Sequence, residues 1–165
     1  MSNPVKYKGD FISGKWILPE RPDGDFKDIS PGDLSDEIMK VTFKHDHVDQ
    51  ACSSAKKAYL SWARLPVDER RRYLLRLKEV FETHKNDLIE AICRDTGKPK
   101  WDATTEVGAV IGKIDITLNF SSKLMAEERI ANALPGVDGV IRYKSRGVMA
   151  VVGIVTGKQI GRAHV

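Results

Sequence analysis

Several stretches of the chain carry residue types that could do chemistry. His45-Asp46-His47 with Asp49 gathers imidazoles and carboxylates, the donors of a metal cluster. Two histidines two apart on a strand share a face, yet these stand where a strand pattern gives way to a helical one. No third or fourth ligand follows at metal spacing, so this stretch is expected to be a solvated turn. Gly153-Ile154-Val155-Thr156-Gly157-Lys158-Gln159 suggests a phosphate loop. That loop needs four residues between its glycines and a Ser or Thr after the lysine to reach magnesium. Here three intervene and Gln159 follows, with no long helix after it to offer a positive amino-terminal dipole. Cys52 and Cys93 offer thiols, but they lie far apart on apolar helical positions without metal or redox spacing. Both are expected to be small buried hydrophobes. Arg70-Arg71-Arg72 is the densest basic run, but Asp68, Glu69, Glu79 and Glu82 share its helix. It reads as a solvated helix face and not as a nucleic-acid surface. No Ser-His-Asp, Cys-His or paired-carboxylate arrangement is legible.

The elements that would position these groups follow from periodicity and turn chemistry. Phe11–Ile17, closed by Pro19, reads as a short strand, Phe26–Ser30 as a second and Ile38–Phe43 as a third. Ser30-Pro31-Gly32-Asp33 between the last two is turn chemistry, and together the strands make a small meander. From His47 to Ala63, Val48, Ala51, Cys52, Ala55, Tyr59 and Trp62 repeat at helical spacing, with Asp46 as the cap. Pro66 starts a second helix whose stripe runs through Leu74, Leu77 and Phe81 toward Leu88, Ile89 and Ile92. Gly97 can take a left-handed cap and Pro99 cannot continue a helix. A long helix then begins near Trp101, with an apolar stripe at Val107, Val110, Ile111, Ile114, Leu118 and Met125. The segment 131–139, with Pro135, Gly136 and Gly139, reads as a loop. Val140–Lys144 alternates as an exposed strand, and Gly147–Gly153 is the continuous apolar run of a strand buried on both faces.

The composition is that of a globular chain, with 165 residues, 41% hydrophobic, 30% charged and a formal net charge of +4. It excludes a disordered segment and a strongly basic nucleic-acid binder. No amino-terminal apolar run resembles a signal peptide, and none approaches the roughly 20 residues of a membrane span. The expectation is a reducing, cytoplasmic setting, with neither nucleic acid nor membrane as partner.

Over nearly all of residues 10 to 153 the chain resembles the amino-terminal third of the aldehyde dehydrogenase superfamily. The resemblance rests on Ile12-Ser13-Gly14-Lys15-Trp16, Ser30-Pro31-Gly32-Asp33, Ala58, Trp62 and Pro66 with Arg70. Its most specific piece is Asp95-Thr96-Gly97-Lys98-Pro99, followed by Trp101-Asp102-Ala103 and Thr105-Glu106-Val107. Trp101 together with Lys113-Ile114 resembles the succinylglutamate-semialdehyde dehydrogenase branch, which acts in arginine catabolism. The resemblance implies an α/β fold that is an incomplete amino-terminal part of the superfamily's: a small β meander, a helical layer and the first strand of a Rossmann-like sheet. It implies a division into residues 1–153, a partial NAD(P)-binding domain with an oligomerisation-strand segment, and a non-family tail, 154–165.

The parent enzyme implied in this way oxidises a small-molecule aldehyde to a carboxylic acid with NAD or NADP, as a homo-oligomer. A cysteine thiolate attacks the carbonyl, hydride passes to the nicotinamide, and a glutamate-activated water hydrolyses the thioester, with an asparagine in the oxyanion hole. The helix after Trp101 would pack on the cofactor domain and wall part of the substrate tunnel. The strand 148–152 would open the nucleotide-binding sheet, with the backbone of Val152 and Gly153 touching the dinucleotide. These are the cofactor-binding residues the resemblance assigns; it assigns no catalytic residue and no metal ligand. After Gly153 the family continues Pro-Phe-Asn-Phe-Pro, whereas this chain has Ile154-Val155-Thr156-Gly157-Lys158, with Thr156 near the asparagine's place. The catalytic cysteine and glutamate and the residues that hold the cofactor ribose belong further on. Ile160–Val165 matches a translated sequencing-adapter stretch, and the tail is expected not to be native. The chain alone is therefore expected to be inactive and to bind no cofactor. A short non-catalytic protein that binds or regulates a full-length subunit is the alternative, and an unrelated helical binding module a third.

Overall fold

The computed structural model describes residues 5–151, a mixed α/β arrangement of paired strands around four helices. β1 (Asp10–Ile12) and β2 (Lys15–Ile17) form a hairpin, with Phe11 opposite Trp16. Its turn is Ser13-Gly14, both at positive φ (54° and 78°), the mirror-image geometry that matches strand twist. One strand was expected here; a two-residue turn leaves too little polar sequence to interrupt the apolar alternation. β3 (Gly24–Ile29) and β4 (Glu37–Phe43) make a second antiparallel ribbon. The expected continuous meander is thus two separate ribbons, because β2 pairs with β1 and not with β3.

α1 (Asp46–Arg64) follows, and Asp46 is its first helical residue and not its cap. His45 precedes it in right-handed helical geometry with no side-chain cap bond. Asp46 and Asp49 still place negative charge in the first turn, where the helix dipole favours it. α2 (Val67–Thr83) starts after Pro66 as expected but stops at His84, where the backbone leaves helical geometry (φ −100°, ψ 21°). α3 (Lys85–Thr96) is a separate helix, so the layer has four helices instead of three. Thr83 and His84 are weaker helix formers than the Arg-, Leu- and Lys-rich run before them. The break there lets Ile89 turn inward while Leu77 stays exposed.

α4 (Lys100–Asn119) supplies most of the core. Ala103 and Val107 pack with Ile89 of α3, and Leu88, Ile92, Cys93 and Ile111 close around them. Ile114 and Leu118 continue the buried face. The expected stripe is corrected at two places: Val110 is 49% exposed, and Met125 lies past the helix on a short 3-10 turn (Ser121–Met125). Cys93 is half-buried beside the core, whereas Cys52 is exposed on α1, against expectation.

The segment expected as a loop at 131–139 is instead most of a hairpin of β5 (Glu128–Leu134) and β6 (Val137–Ile141). Pro135-Gly136 is only its tip, with Gly136 at φ 75°. A bulge between Ile130 and Leu134 carries Asn132 at φ 51°, and Asn132 N donates to Asp138 Oδ1 at 3.1 Å. The apolar run 147–151 forms no strand; Met149 and Val151 are 83% and 84% exposed. A strand buried on both faces needs neighbours on either side, and no described strand pairs with it.

The apolar surface left open is extensive for a chain of this size. Trp62, Tyr73, Val110, Ile116 and Phe120 are all exposed. Exposed apolar surface binds hydrophobic dyes and drives association. The isolated chain is expected to enhance anilinonaphthalene-sulfonate fluorescence at neutral pH and to associate with rising concentration. A dye-silent monomer with a single sharp unfolding transition would contradict this.

Candidate functional site

The residues assigned to the dinucleotide, Val152 and Gly153, lie outside the described residues, as does the whole glycine-lysine stretch 153–159. The best-built cluster of polar groups in the described chain is the α3–α4 junction, where Asp95-Thr96-Gly97-Lys98-Pro99 meets the β3–β4 turn. Gly97 ends α3 in the left-handed region (φ 70°, ψ 10°), and its N–H donates to Cys93 O at 2.9 Å. Gly32 lies directly against it: a Cβ built on Gly97 would stand 2.9 Å from Gly32 N and 3.1 Å from Pro31 Cγ. The two turns that sequence reading treats separately are thus one contact.

One polar link spans that contact and two more brace the junction itself. Arg94, in the last turn of α3, binds Asp36 at the start of β4 through Nε (2.9 Å) and Nη2 (2.7 Å), a bidentate pair whose side chains are mostly buried. Thr96 Oγ1 donates to Ile92 O at 2.6 Å. Lys98 Nζ reaches Glu106 and, at 3.2 Å, Asp102, both on α4. The hydrogen bond that Lys98 donates to Glu106 foremost, against a smaller cost of desolvation, raises the Lys98 pKa above its ordinary value. Lys78 is held charged in the same way by Asp115 across the α2–α4 contact. Neither amine is therefore available as a neutral nucleophile.

In the turn itself, Asp33 Oδ1 accepts from Ser35 Oγ (2.6 Å) and Ser35 N (3.0 Å). The Ser35 hydroxyl first, then its backbone N–H, hold the Asp33 carboxyl below the usual carboxylate range. A carboxylate with a lowered folded pKa stabilises above its unfolded pKa and loses that contribution as pH falls through the folded value. The turn is expected to keep its full Asp33 contribution above roughly pH 4 and to loosen below it. Ser35 amide shifts followed by NMR through that range should show the loosening, and Asp33→Asn should flatten the profile. An unchanged profile in the variant would assign the acid effect to another group.

The histidine stretch is corrected in part. His45 is exposed, and its N–H donates to Asp23 Oδ2 at 2.7 Å. His47 is not solvated: it is 7% exposed, with Nδ1 2.6 Å from Asp10 Oδ2, which ties α1 to β1. Tyr7, whose hydroxyl donates to Thr42 O at 2.9 Å, also faces Asp10. Burial first, then the charge on Asp10, raises the Tyr7 pKa. No group of three or more metal-ligating residues exists among the described residues. The basic run is also more than a solvated face, since Arg71 Nη1 donates to Leu118 O at 2.7 Å and satisfies a carbonyl of α4's last turn. Both ties were invisible in sequence because the partners stand 37 and 47 residues away.

Two open clefts flank the helices. One, of about 440 Å³, lies between α2 and α4, lined by Leu74, Phe81, Val110, Lys113, Ile114 and Thr117 among others. Another, of about 650 Å³, includes Trp62, Val67, Leu74, Leu118 and Met125. Their walls are largely apolar. Among the described residues no helix is long and apolar enough to cross a membrane. The glycine turn at the head of α4 is no phosphate cradle either, because Gly32 and Pro31 fill it and Pro99 lacks an N–H.

The sequence profile described as the aldehyde dehydrogenase family matches residues 16–154. The chain is 35% identical over 144 residues to N-succinylglutamate 5-semialdehyde dehydrogenase of Chromobacterium violaceum, covering 87% of this chain and 29% of that protein. It is 39% identical over 145 residues to the Escherichia coli K12 protein of the same name, covering 87% and 28%. Among solved structures, a NAD-dependent benzaldehyde dehydrogenase from Corynebacterium glutamicum superposes with TM-score 0.68 at 23% identity, over 80% of this chain and 28% of that one. Aldehyde dehydrogenase 21 from Physcomitrella patens gives 0.70 at 22% identity, over 84% and 29%. The chain therefore spans less than a third of the length of the curated relatives it matches.

Proposed function

Because the chain belongs to the aldehyde dehydrogenase family, we propose that it is the amino-terminal part of an NAD(P)-dependent enzyme that oxidises N-succinylglutamate 5-semialdehyde to the acid. The observation that supports this substrate is the 33–39% identity, over 86–87% of the chain, to eight bacterial proteins of that name. The Trp101 and Lys113-Ile114 pattern points the same way. The chain's own contribution is architectural. The β3–β4 turn, clamped to the α3–α4 junction, holds α4 in place, and α4 presents Val110, Lys113 and Thr117 to whatever packs on it.

The dinucleotide supplies the hydride acceptor. The backbone of Val152 and Gly153 is our assignment for this chain's contact with it, and the described residues offer no cradle of their own. The nucleophile and the general base are assigned to the rest of the enzyme, since Cys52 stands exposed on α1 and Cys93 packs beside the core. We assign 1–153 to the family domain, 154–165 to non-family sequence, and the whole enzyme to a cytoplasmic homo-oligomer.

One experiment with two arms tests this. The purified chain with aldehyde and NAD or NADP is expected to form no reduced nicotinamide above an empty-vector preparation. A protein that joins this segment to the remaining fold should turn over N-succinylglutamate 5-semialdehyde with a higher kcat/KM than benzaldehyde. Turnover by the chain alone would overturn the architectural role, and a reversed ranking would overturn the substrate.

A further inference from the structure

We draw no further inference here: the strongest candidate, the open apolar groove between α2 and α4 lined by Leu74, Phe81, Val110 and Ile114, carries nothing because nothing in the structure shows what covers it.

Discussion

Replacing Gly97 with valine is expected to unfasten the β3–β4 turn from the α3–α4 junction. Two costs add at that position. A side chain at φ 70° meets the left-handed penalty of about 1–2 kcal/mol. The new carbon would also press on Gly32 N at 2.9 Å and Pro31 Cγ at 3.1 Å, and backbone cannot swing aside as a flexible side chain would. Overpacking of this kind costs roughly 1–3 kcal/mol more. Amide exchange reads the result locally, since Ser30 N is bonded to Asp36 O and Gly97 N to Cys93 O. Both amides should lose protection in Gly97→Val. Gly14→Val is the control, because Gly14 also has positive φ (78°) but nothing within 4 Å of a built Cβ. It should carry only the left-handed cost. Equal losses of protection in the two variants, each measured at its own turn, would mean that the glycine–glycine contact contributes nothing.

The second large effect separates two residues that sequence periodicity treats alike. Ile89→Ala removes a side chain that is buried against Ala103 and Val107, and it is expected to destabilise by roughly 2–5 kcal/mol. Val110→Ala, on the open side of α4, should change stability by no more than about 0.5 kcal/mol in this chain. Urea midpoints, or global exchange rates of the α4 amides where the transition is broad, measure both. A loss at Val110 comparable to that at Ile89 would show that the groove is closed in solution. In an enzyme carrying the remaining fold, the Val110 effect is expected to grow, because a helix apolar on several faces is made to be covered on several faces.

The places where the sequence was legible are those where a residue type dictates its own backbone. Gly97 and Pro99 fix a left-handed stop and an extended restart whatever surrounds them, and the junction stands where they put it. The β3–β4 turn around Pro31-Gly32 was legible for the same reason. Tight hairpins were not, because Ser13-Gly14 and Pro135-Gly136 look like generic breakers until pairing on either side is known. The start of α1 was misread since Asp46 has the chemistry of a cap but stands one position inside. The strand expected at 148–152 depends on neighbours that no periodicity supplies. The clamp between Asp36 and Arg94 had no local signature at all. As for the site, residue spacing offered no nucleophile, and resemblance alone pointed to Val152 and Gly153, which lie outside the described residues.

The Asp36–Arg94 clamp also bears on the order in which the molecule assembles. Its partners are 58 residues apart. During synthesis Asp36 is made well before Arg94 exists, so for that interval the β3–β4 ribbon has only itself and the segment before it, through Val5 and Tyr7, to lean on. An isolated two-stranded ribbon is marginally stable in water. The helices α3 and α4, joined by a short connection, can form and pair from local contacts alone, which is the faster kind of event. The β3–β4 ribbon, though it precedes the helices in the chain, is therefore fixed late. Its turn chemistry, Asp33 with Ser35, keeps the right bend ready until the arginine arrives.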